Sequence, residues 1–62
     1  MNETSITVNL TESEAIALAQ FLKRSQFSDY RTRAVSDDDA YTMQDAAAKV
    51  REALTEKGFA PR

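Results

Sequence analysis

Thr4-Ser5-Ile6-Thr7-Val8-Asn9-Leu10-Thr11-Glu12-Ser13-Glu14 decides the fold, because its first seven residues read as one element and its last four open another. Ile6, Val8 and Leu10 point to one side of an extended chain, while Ser5, Thr7 and Asn9 point to the other. Strict period-two alternation with β-branched residues predicts a half-buried strand over 4–10. The alternation stops at Thr11, whose hydroxyl is placed to accept from orphan backbone N–H groups. Glu14, three residues on, is placed to reach back and complete a capping box. A strand running into a capped helix is therefore the opening of the chain.

Downstream, Ala15, Leu18, Ala19 and Leu22 recur at helical spacing, flanked by Ile16 and Phe21, and predict a helix over 12–25. Ser36 followed by Asp37, Asp38 and Asp39 opens a second long helix, an N-cap with three carboxylates at the positive end of the dipole. Ala40, Met43, Ala47, Val50 and Leu54 form its narrow seam, and Asp45 and Lys49 stand at pairing distance along the helix. Lys57, Gly58 and Phe59 spell a Schellman stop, with Pro61 behind it, so this helix is expected over 37–57. Between the two helices, Gln26 to Val35 reads as a short turn of helix near 28–34 or as a structured loop. The expected class is α+β and mostly helical: one short N-terminal strand, two main helices and a short third between them. The expected core is Ile6, Val8, Leu10, Leu18, Leu22, Met43, Val50 and Leu54.

A single strand cannot satisfy its own edges, and the helices cannot do so for it. The simplest remedy is pairing with the same strand of a second copy, with Ile6, Val8 and Leu10 as the dimer strand. Addition to the sheet edge of another protein is the second solution. The plainer alternatives are an extended, solvated arm with no pairing at all, and a second strand within the chain from Gln26 to Val35, which only Val35 favours. At 62 residues the chain is a single domain, 1–62, and buries only roughly 60% of its unfolded surface. Small chains are normally helped by disulfides, metals or association. The absence of Cys and His removes the first two in their usual forms and leaves association.

The same absences empty the catalytic inventory, since neither the usual general base nor the usual thiol nucleophile is present. A lone glycine cannot build a phosphate cradle. No enzyme, cofactor or metal site is expected; the consecutive carboxylates of Asp37–Asp39 diverge around a helix and do not converge on one ion. With ten acids against eight bases, the net charge is −2, which argues against a general nucleic-acid binder. No apolar run is long enough to span a bilayer and no apolar leader follows Met1, so a cytoplasmic location is expected. Half of the positive charge, Lys23, Arg24, Arg31 and Arg33, falls within eleven residues that also hold Phe27 and Tyr30. These six are the candidate interaction patch, against the plainer reading of a solvated face.

The stretch Ile6-Thr-Val-Asn-Leu10-Thr-Glu-Ser-Glu14-Ala resembles the start of ribbon-helix-helix DNA-binding proteins. That resemblance implies an obligate dimer with paired strands in the major groove and Ser5, Thr7 and Asn9 facing the bases. Two features separate the chain from the pattern: about ten residues, not a short turn, join the helices, and Asp37–Asp39 stand where that family meets a phosphate. Over its full length the chain also resembles small uncharacterised proteins of proteobacterial phages and mobile elements. The matching stretches are Leu10-Thr-Glu-Ser-Glu-Ala-Ile-Ala-Leu-Ala-Gln-Phe-Leu-Lys-Arg24, Phe27-Ser-Asp-Tyr-Arg31 and Gly58-Phe-Ala-Pro-Arg62. This second resemblance implies an accessory protein of such an element, a group that includes inhibitors of host defence. The reading that follows is a non-enzymatic, homodimeric module that binds another protein, with a ribbon-helix-helix DNA-binding regulator as the alternative.

Overall fold

A computed structural model describes residues 2–59 as an extended N-terminal arm followed by three helices, α1 Glu12–Arg24, α2 Phe27–Arg33 and α3 Asp37–Glu56. The helical part follows from local chemistry. Thr11 accepts from the Glu14 N–H at 3.1 Å, and Glu14 Oε1 accepts from the Thr11 N–H at 2.8 Å, closing the predicted capping box. Ser25 ends α1 in extended backbone. At α2 the cap is Gln26, whose N–H donates to Asp29 Oδ2 at 2.7 Å, so the short helix starts one residue before the expected 28. Ser36 caps α3 by accepting from the Asp39 N–H at 3.2 Å, while Asp39 Oδ2 reaches back to the Val35 N–H at 3.2 Å. At its far end Gly58, at φ +93, lets its N–H donate to the Thr55 carbonyl and the Phe59 N–H to the Leu54 carbonyl, both at 2.9 Å. That pair of bonds is the predicted Schellman motif, and it swings Phe59 back against the core.

The α+β expectation is overturned. Among the described residues there is no strand, and the molecule is helical. Residues 4–10 run without a turn or bend, but among the described residues no backbone–backbone hydrogen bond engages 2–10, so the expected strand does not form. The physical reason is the one that made the segment notable: an extended ribbon becomes a strand only beside another edge. Gln26 to Val35, the one stretch that had offered such an edge within the chain, folds instead into α2 and its exit. Ile6 is 78% exposed, Val8 70% and Leu10 41%, so these three are not core residues.

The core lies where helices meet. α3 is the central element, and α1 and α2 each pack on it. Ala15, Ala19, Leu22 and Leu54 form the buried cluster, with Leu18, Ala47 and Phe59 partly buried around it, and Ala40, near the start of α3, is fully buried. Leu22 and Leu54 therefore hold their expected places, Leu18 and Met43 are half-buried, and Val50 lies at the exposed rim. Small side chains occupy the tightest positions because close approach of two helix backbones leaves no room for larger ones. The Cα extents are 34 × 29 × 15 Å, so the molecule is flat, about as deep as one helix laid upon another. Among the described residues no helix is long and apolar enough to cross a membrane.

Candidate functional site

Two grooves flank this flat body. The first is apolar and runs between the arm and the seam where α1 meets the end of α3. It has a volume of about 490 Å³ and is walled by Ile6, Val8 and Leu10 on one side and by Leu18, Val50, Leu54 and Phe59 on the other. The arm thus carries its three apolar side chains along a wall of apolar groups without burying them. Ser5, Thr7 and Asn9, the base-facing residues under the ribbon-helix-helix reading, lie on an arm that is not a strand; Thr7 borders this groove and Ser5 a shallow polar depression with Lys49. The two-stranded ribbon that would present them to DNA is absent from the described residues.

The second groove lies between α1 and α2, again with a volume of about 490 Å³. Ala17, Phe21 and Arg24 line it from α1, a stripe spaced i, i+4, i+7 that is separate from the Ala15–Ala19–Leu22 stripe facing α3. Asp29, Thr32 and Arg33, likewise one face of α2, line it from the other side.

This geometry divides the predicted basic-aromatic patch. Phe27 turns to α3 and stacks on Tyr41, ring centroids 4.7 Å apart and tilted by 38°. Tyr30 is half-buried and borders a small cleft with Leu22 and Ala47. Both aromatics therefore serve the α2–α3 contact. Arg31 Nε donates to Asp37 Oδ1 at 2.6 Å, and its Nη1 donates to the Ala34 carbonyl at 3.2 Å, so its charge is already matched. That is the one ion pair among the described residues; Asp45 and Lys49 do not close theirs. Lys23 is exposed and lines neither groove. Arg24 and Arg33 alone of the six converge. Phe21, at 65% exposure, is the residue that sequence reasoning left out. Its signal was its place beside the α1 core stripe, in register with Ala17 and Arg24.

Both hydroxyls that line the second groove donate to backbone carbonyls one helical turn back. Ser25 Oγ donates to the Phe21 carbonyl at 2.8 Å and Thr32 Oγ1 to the Ser28 carbonyl at 2.7 Å. Asp37 is engaged by an ion pair and Asp39 by a cap, and no group of three or more potential metal ligands occurs among the described residues.

A family profile matches the whole chain, residues 1–62. The chain belongs to the DUF7706 family. It is a family of unknown function, which agrees with the expectation of an uncharacterised family and assigns this member no activity. No curated protein and no solved structure matches this DUF7706 chain.

Proposed function

We propose that this DUF7706 protein is a non-enzymatic interaction module that works as a homodimer through its apolar groove. The observation that carries the reading is the row Ile6, Val8 and Leu10, which lines the same groove as Val50 and Leu54 yet leaves Ile6 and Val8 largely open to water. The total surface supports it. The chain exposes 5448 Å², whereas a closed monomer of 6.9 kDa exposes about 4,000 Å². The surplus exceeds the ~800 Å² that each partner gives up in a standard interface. Its radius of gyration, 12.5 Å, is likewise above the roughly 10.6 Å of a compact chain of this length. A second copy laid groove to groove about a two-fold axis would cover these side chains symmetrically. The contact proposed is one of apolar side chains, with no pairing of strands.

A role as an accessory protein of a phage or mobile element would suit such a module, and it rests on the full-length sequence resemblance alone. Sedimentation equilibrium tests the reading. Wild type is expected to be dimeric, and Val8→Asp and Val50→Glu, both on exposed groove walls, are expected to be monomeric with unchanged helix content. A wild type that stays monomeric at high concentration, or a dimer indifferent to both changes, refutes it.

A further inference from the structure

The groove between α1 and α2 lies apart from the proposed dimer face and has a different chemistry. Phe21 projects from α1 at 65% exposure, away from the Ala15–Ala19–Leu22 cluster, and no packing role accounts for it. Arg24 and Arg33 end their respective helices and line the same groove, and neither forms an ion pair among the described residues. Asp29, the carboxylate that lines the groove, is held by the Gln26 N–H at 2.7 Å and forms no ion pair with either arginine, so with its charge counted the groove remains net positive. An exposed ring that shares a groove with two arginine side chains is complementary to an apolar side chain flanked by carboxylates. Guanidinium forks bind carboxylates with two parallel hydrogen bonds, and the ring supplies contact area at low entropic cost. The open shape suits a segment laid across the surface better than an enclosed small molecule.

We infer that the Phe21–Arg24–Arg33 groove docks an acidic segment of a protein partner. Nucleic acid fits less well. Nucleic-acid affinity grows with the number of phosphates neutralised, and two arginines offer few such contacts. The inference is independent of the dimer, because α1 and α2 present this groove whether or not the arm is covered.

Fluorescence polarisation with the full chain tests it. The probe is a fluorescein-labelled Glu-Asp-Phe-Leu-Asp-Glu peptide, compared with its Gln-Asn-Phe-Leu-Asn-Gln counterpart and a labelled thymidine dodecamer. The acidic peptide is expected to bind about tenfold more tightly than the amide form, with an affinity that falls as salt rises. Arg24→Gln with Arg33→Gln should remove that preference, and Phe21→Ser should weaken both peptides about fivefold. Circular dichroism verifies that each variant stays folded, and Lys23→Gln, outside the groove, should change binding little. Equal affinity for the two peptides, an unchanged double-arginine variant, or tighter binding of the oligonucleotide would overturn the inference. Sedimentation of the same samples keeps this outcome separate from that of the dimer.

Discussion

Two short segments border the same apolar groove, and they behave in opposite ways. Asn2 to Leu10 carries three apolar side chains in perfect alternation, buries none of them and makes no backbone–backbone hydrogen bond. Lys57 to Phe59 is a third as long, yet it is held by backbone bonds to Leu54 and Thr55 and folds Phe59 onto the core. The difference lies in where each pattern finds its partners. A Schellman turn closes on carbonyls three and five residues back, which the helix itself always supplies. A β pattern closes only on another edge, and the described residues contain none. Local motifs complete themselves, and non-local ones depend on what else is near.

Four measurements would break or sharpen that contrast. The largest effect belongs to Leu54, which stands in the buried cluster and carries the carbonyl that anchors Phe59. Leu54→Ala should cost about 2–4 kcal/mol in denaturant unfolding, enough to unfold much of so small a domain. A loss below about 1 kcal/mol would show that the helices are held together elsewhere.

Gly58→Ala comes next. A Cβ there meets nothing within 4 Å, so the whole penalty comes from holding an alanine at φ +93. About 1 kcal/mol is expected, read as a lower Tm by circular dichroism with helix content retained. A neutral result would mean that the C-terminal turn contributes nothing to anchoring Phe59. Thr11→Ala removes the cap at the other flank of the groove, where the arm joins α1. It should cost about 1 kcal/mol, and amide exchange should quicken over the first turn of α1 while α3 stays protected.

The smallest effect on folding is predicted for the arm. Val8→Asn should leave monomer stability, extrapolated to low protein concentration, within about 0.5 kcal/mol of wild type. The same change should weaken self-association and lessen the concentration dependence of Tm. A large loss at low concentration would place Val8 in the monomer's own core and erase the contrast with Phe59.

The candidate site was legible to the same extent. The cluster of Lys23, Arg24, Arg31 and Arg33 with Phe27 and Tyr30 is visible as a string of letters, but a string does not say which way α2 faces. Packing on α3 takes Phe27 and Tyr30 inward, Asp37 neutralises Arg31, and the opposite face of α2 brings Arg33 towards Arg24 and Phe21. The core shows a related limit. Periodicity suggested Ile6, Val8 and Val50 as core, whereas Ala15, Ala19 and Ala40, also on the apolar stripes, are the deepest positions. Where two helices approach closely, the space left over is alanine-sized, and only their mutual placement reveals it.

The amino-acid order by itself determined the caps at Thr11 and Ser36 and the Schellman stop, because each depends on groups within a few residues of one another. Tertiary structure decided whether residues 4–10 became a strand, which small residues formed the core and which arginines met across a groove. Those outcomes depend on surfaces distant in the chain, whose energies are settled only when the helices pack.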